Sequence, residues 1–345
     1  MATMMQMPLK GERLFDPFGE RSPGRLSRKI QVLGGNFEFR SDSTALLDLV
    51  DLAYRGLPAH GMPDGAPDFL IELRLTDGPS LDGLDEPPEA RMLGGAGFLG
   101  ALMDASNLAL AFPAARRGLV AISPELLRFP YHARYELLEF VVFTLASRAQ
   151  GLVPLHAGCV GAQGMGALLV GESGAGKSTL ALHCMLQGLD FLTEDAAFVA
   201  PQDLLATGVA NFLHLRFDAL AFLEDAELRD RVRSAPIIRR RSGVEKYEID
   251  LRQDWAASAP APLTLAHIVF VTREPAGDNA ILTPLDHEQV LARFIRSQPY
   301  AAHQPNWPLF AEQASRLHGH ELRRGAHPRD AAAALRELLR GALTT

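Results

Sequence analysis

Residues 164–182 constrain this chain more than any other stretch. Ala167 to Val170 is a short apolar run of strand type, Gly171 to Lys177 is punctuated by glycines, and from Ser178 onward apolar residues recur at helical spacing. The order is therefore strand, glycine-rich loop, helix. Gly171, Gly176, Lys177 and Ser178 stand at the spacing of a P-loop, in which backbone N–H groups and a helix N-terminus cradle a polyphosphate and the lysine meets its outer phosphates. Ser178 falls where a hydroxyl holds Mg²⁺. A glycine-rich turn with an exposed lysine would not need a lysine and a hydroxyl side by side at the helix start.

The rest of the composition narrows the class. With 34 Lys+Arg against 41 Asp+Glu the formal charge is −7, so the basic excess of a general nucleic-acid binder is missing. Cys159 and Cys184 are the two cysteines; they lack metal or disulfide spacing and are expected to pack in the core of a protein from a reducing compartment. No apolar run reaches the ~18 residues of a membrane span. The expectation is a cytoplasmic protein with no membrane and no nucleic-acid partner; the oligomeric state stays open.

Three segments are expected. Residues 1–28 mix Met, Pro, Gly and Arg without periodicity and read as a loose arm. Residues 29–150 read as a small mixed α+β domain: two strands in Lys29–Arg40, a helix over Thr44–Arg55, a strand over Phe69–Thr76, a hairpin from Asn107–Phe112 and Gly118–Ser123, and an amphipathic helix over Tyr131–Gln150. From residue 151 closely spaced apolar runs separated by glycines signal buried strands of an α/β layer running to residue 345.

Chemistry at a phosphate loop also needs carboxylates. Glu194 and Asp195 end the next expected strand, 17 and 18 residues beyond Lys177, and come beside the loop if the two strands are neighbours. His156 opens a strand 21 residues before Lys177. His318 and His320 lack a third ligand at recognisable spacing, so no metal beyond Mg²⁺ is assigned. Six arginines between Arg229 and Arg241 form a basic segment, mostly a solvated loop, of which Arg239 is kept as a candidate substrate contact.

Together, His156-Ala157, the Gly-Glu-Ser-Gly-Ala-Gly-Lys-Ser loop and the short-range Glu194-Asp195 pair resemble the catalytic domain of HPr kinase/phosphorylase and its kinase-like relatives, among them the kinases of lasso peptides. The resemblance spans roughly residues 150–290. It implies an α/β P-loop kinase domain of the HPr kinase/phosphoenolpyruvate carboxykinase type, preceded by the smaller α+β domain. It further implies that Gly171, Glu172, Ser173, Gly174, Ala175, Gly176, Lys177, Ser178 and Thr179 bind ATP phosphates, with Ser178 and Asp195 on Mg²⁺. Glu194 would act on the acceptor hydroxyl, His156 would lie near the transferred phosphate, and Lys246 would be a second phosphate contact.

The implied activity is transfer of the γ-phosphoryl group of ATP to a hydroxyl, that of serine in a small protein or peptide first, with a small-molecule acceptor open. A bifunctional HPr kinase/phosphorylase and a non-catalytic ATP-binding regulatory module are the alternatives. The family pattern has Asp-Asp where this chain has Glu194-Asp195, and the glycine-rich downstream signature of HPr kinases is missing.

Overall fold

A computed structural model describes residues 24–341 apart from 253, 254, 256 and 257. Most of the expected N-terminal arm, residues 1–23, lies outside this range, and its last three residues belong to a strand. Two compact units result. One takes the chain to Ile30, then Gly35–Arg55 and Pro67–Gln150; the other takes Gln31–Gly34, Gly56–Ala66 and everything from Gly151. The excursion at 56–66 has a physical anchor in His60, whose buried ring meets Thr207 Oγ1 at 2.7 Å and the Ala259 carbonyl at 3.1 Å.

The first unit holds β1 (Leu26–Val32), β2 (Gly35–Ser41), α1 (Thr44–Tyr54), β3 (Asp68–Leu75), β4 (Arg91–Gly95), β5 (Phe98–Leu102), β6 (Leu108–Phe112) and β7 (Arg117–Ile122). They form one sheet in the order β1-β2-β3-β7-β6-β5-β4. Alternation decides its faces: Phe37 and Phe39 of β2 and Phe69, Ile71 and Leu73 of β3 are buried while their neighbours are not. The expected helix over 131–150 is interrupted. It runs as α2 (Pro130–His132), a π-helical stretch (Ala133–Leu138) and α3 (Glu139–Ala149). The apolar spacing of this segment carries no signal for a π insertion. β4 and β5 were not expected, because four glycines between 94 and 100 mask their alternation.

In the second unit, β8 (Val153–His156), β9 (Gly158–Ala162), β10 (Met165–Val170), α4 (Lys177–Leu186), β11 (Asp190–Thr193), β12 (Ala196–Ala200) and β13 (Leu205–Gly208) come first. There follow β14 (Phe212–Leu215), α5 (Ala226–Arg233), β15 (Ile237–Arg239), β16 (Glu245–Asp250) and the long β17 (Leu263–Pro275). The chain ends with β18 (Leu282–Pro284), α6 (His287–Ser297), α7 (Trp307–Ala314), β19 (His318–Arg324) and α8 (Pro328–Gly341). The main sheet runs β11-β9-β10-β17-β13-β12-β8, with β19 paired to β17 and β18; β14-β16-β15 make a second, small sheet.

The continuous apolar run of β10 now has an explanation. Ala167 and Leu169 enter one core with Leu180, Leu182 and Met185 of α4 and Leu335 and Leu339 of α8. Leu168 and Val170 enter a second core with Val290 and Phe294 of α6 and Phe310 of α7. A strand covered on both faces needs no polar alternation. β10 and β17 are parallel, so the loop leaving β10 opens at the carboxyl end of the sheet. Cys159 and Cys184 are both buried, and burial pushes the Cys159 thiol up to about 12.

Candidate active site

The loop between β10 and α4 is set by backbone as much as by side chains. Gly176 has φ +101°, a left-handed conformation that a side chain would strain, and it turns the chain so that α4 begins at Lys177. No side chain caps this helix start, which leaves the first-turn N–H groups of Lys177, Ser178 and Thr179 without intrahelical acceptors. Glu172, Ser173 and Gly174 are exposed, whereas Gly171 and Ala175 are half-buried. The Lys177 ammonium lies over the loop, donating to the carbonyls of Gly171 at 2.5 Å and Glu172 at 3.4 Å. Burial pushes its pKa below the ordinary lysine value, against the pull of Asp195 and Glu194.

Glu194 reaches this loop by a route that the sequence hides. β11 is not the neighbour of β10; β9 lies between them. The chain leaving β11 therefore crosses the start of β9, and does so at Gly158, where an added Cβ would come within 2.8 Å of the Glu194 carbonyl oxygen. Gly158→Ala is expected to shift Glu194 and cost about 1–3 kcal/mol. Urea unfolding measures it, and an unchanged midpoint would show that Glu194 does not depend on this crossing.

Once across, Glu194 is held at both oxygens. Ser178 Oγ donates to Oε1 at 2.6 Å, with Lys246 Nζ 3.9 Å from the same oxygen. Oε2 accepts from the His214 backbone N–H at 3.0 Å and lies 2.6 Å from His214 Nδ1. Burial alone would raise the pKa of this carboxyl, but His214, Lys246 and Ser178 outweigh it and hold it at about 2. His214 is raised in turn: Glu194 and Glu248 overcome the effect of its own burial.

These shifts fix a pH window. The carboxylate's contribution is complete above its ordinary value of 4.5 and is lost as pH falls toward 2. The imidazolium's is complete below the ordinary 6.5 and is lost as pH rises through its raised value. The stability gap between wild type and Glu194→Gln is therefore expected to be widest between pH 4.5 and 6.5 and to shrink toward pH 2. Urea midpoints across that range measure it, and a gap independent of pH would contradict the ion pair.

Asp195 stands differently. Its side chain is 40% exposed and lies 3.4 Å from Nδ1 of His156, itself 61% exposed. The two meet because β12 pairs with β8 and puts Ala196 opposite His156. Gln298 fixes the strand end, accepting from the His156 N–H at 2.8 Å and donating to its carbonyl at 3.1 Å. The resemblance implies Glu194 at the acceptor hydroxyl and Asp195 on Mg²⁺; in the structure Glu194 is buried against the loop serine, and Asp195 is the more exposed carboxylate.

Lys246 on β16, which the resemblance implies as a second phosphate contact, has its Nζ 3.9 Å from Oε1 of Glu194. Arg239 is exposed, whereas its neighbour Arg240 is half-buried; burial lowers the pKa of Lys246 as it does that of Lys177, and the Arg240 charge adds to both. Sequence alone did not single out Arg240, His214, Glu248, Gln298 or Arg273, which donates to the Ser173 carbonyl from β17. His318 and His320 meet His267 on β17, yet among the described residues no group of three or more His, Cys, Asp or Glu could hold a metal ion. The oxygen pair of Ser178 and Glu194 fits a hard cation such as Mg²⁺, which takes few protein ligands.

No family model matches the chain, and no curated protein does. Among solved structures, the Hpr(Ser) kinase/phosphatase from Coxiella burnetii is similar over 56% of this chain and 99% of that chain, with 12% identity and a TM-score of 0.30. At that score the likeness is distant and says nothing about this site. No helix among the described residues is long and apolar enough to cross a membrane.

Proposed function

We propose that the second unit is an ATP-dependent phosphotransferase of the HPr-kinase-like type, which passes the γ-phosphoryl group to a hydroxyl, that of serine in a small protein or peptide. The observation that carries this reading is Ser178 Oγ at 2.6 Å from a buried Glu194, at the start of a helix that follows a glycine loop capped by Lys177. Mg²⁺·ATP, when bound, supplies the transferable group and neutralises its charge. Ser178 and Glu194 hold the cation side, while the α4 N–H groups and Lys177 take the phosphates.

Asp195 then faces the acceptor. It is exposed enough to meet a hydroxyl, and Nδ1 of His156 lies beside its carboxylate. Glu194 is unsuited to that task because it is buried, with Oε2 held by His214 and Oε1 turned to the loop serine. Incubation with γ-labelled ATP, Mg²⁺ and serine peptides tests the reading. Label should pass to peptide with wild type and fall by about 10²-fold or more in Asp195→Asn. ATP binding without transfer to any hydroxyl would favour a regulatory nucleotide binder.

A further inference from the structure

His214 makes a connection that the phosphate site alone does not require. Its Nδ1 lies 2.6 Å from Oε2 of Glu194, its Nε2 lies 3.2 Å from Oε1 of Glu248, and its backbone N–H donates to the same Oε2 of Glu194. All three side chains are buried, His214 to 4% exposure and the two glutamates to 8%. The register of β14 on β16 produces the contact by setting His214 directly opposite Glu248.

Two carboxylates and an imidazole taken out of water are a costly way to fill space, since apolar side chains of like volume are often no less stable. What the arrangement supplies is direction. A glutamate has three rotatable bonds, so its carboxylate can present either oxygen in several poses. With Oε2 held twice by His214, Oε1 is the oxygen left for Ser178. Glu248, on the far side of the ring, keeps the imidazole from turning away.

We propose that His214, braced by Glu248, is a positioning residue that aims Oε1 of Glu194 at Ser178 and so sets how the loop serine and this carboxylate take a divalent cation. The inference rests on the phosphotransferase reading to the extent that it takes Ser178 and Glu194 as the cation side. The role is one step removed from the reacting atoms, as with the outer partners that orient carboxylate and histidine ligands elsewhere.

The test reads binding rather than turnover. ATP affinity is measured by calorimetry in Mg²⁺ and in EDTA, and the ratio gives the gain that the cation confers. His214→Leu is expected to reduce this gain by about 100-fold while leaving the EDTA affinity unchanged, because the N–H groups of α4 and Lys177 are untouched. His214→Asn sets an amide nitrogen where Nδ1 stood and, like Glu248→Gln, is expected to lose about tenfold. A purely structural role would lower both affinities together and gain nothing from asparagine.

If wild type gains nothing from Mg²⁺, the phosphotransferase reading falls and this inference with it. If wild type gains but all three variants gain equally, the role of His214 falls alone. Should the leucine variant fail to fold, His214→Asn and Glu248→Gln decide the same question.

Discussion

Glu194→Ala is expected to destabilise the second unit by about 3–5 kcal/mol, the range for removing one partner of a buried ion pair. The alanine takes the nearer carboxylate from His214, the acceptor from the Ser178 hydroxyl and the nearby charge from Lys246. The His214 ring is buried and Ser178 and Lys246 are part-buried, so truncation costs more than the pair itself contributes. Glu194→Gln should lose less, since its amide oxygen can still accept from Ser178. Urea unfolding at about pH 6, inside the window where both charges are present, decides the matter. A loss under about 1 kcal/mol for the alanine variant would mean that the buried cluster is hydrated and the carboxylate not held as described.

Lys177→Ala is expected to have the opposite profile. Its ammonium contacts loop carbonyls at the helix start and takes no place in either apolar core. Stability should therefore stay within about 0.5 kcal/mol of wild type. Phosphoryl transfer should fall by about 10²–10³-fold, the usual loss when a charge aimed at the reacting group is removed. Lys177→Arg should not restore it, because a planar guanidinium cannot take the place of a point charge against the loop carbonyls. Single-turnover transfer of label measures this, alongside an unfolding curve to show that the fold persists. Full activity in Lys177→Ala would place the phosphates elsewhere.

What could be read in the sequence was local. Strand, loop and helix at 165–186 follow from consecutive residues, and so does the nearness of Glu194 and Asp195 to one another. Their position in space was not legible, because it depends on β9 entering between β10 and β11, a matter of sheet order that no short spacing encodes. The long-range partners were hidden for the same reason. His214 sits in a Leu-His-Leu strand and Glu248 in an ordinary alternating one; only the register of β14 on β16 makes them a pair. Glu194 and Asp195 differ because these adjacent residues after β11 meet different elements, the first α4 and β14, the second His156 of β8. The basic segment was legible as charge but not as geometry, since the hairpin after β15 leaves Arg239 exposed and Arg240 half-buried.

The proposed function puts the phosphates of ATP in the loop from Gly171 to Ser178 and the cation on Ser178 and Glu194. Calorimetric titration of ATP into the full chain, with and without Mg²⁺, tests it most directly. The expected result is one ATP per chain, tighter binding in Mg²⁺, and about 10²-fold weaker binding in Lys177→Ala. Folded wild type that binds no ATP, or equal affinity in Lys177→Ala, would contradict it.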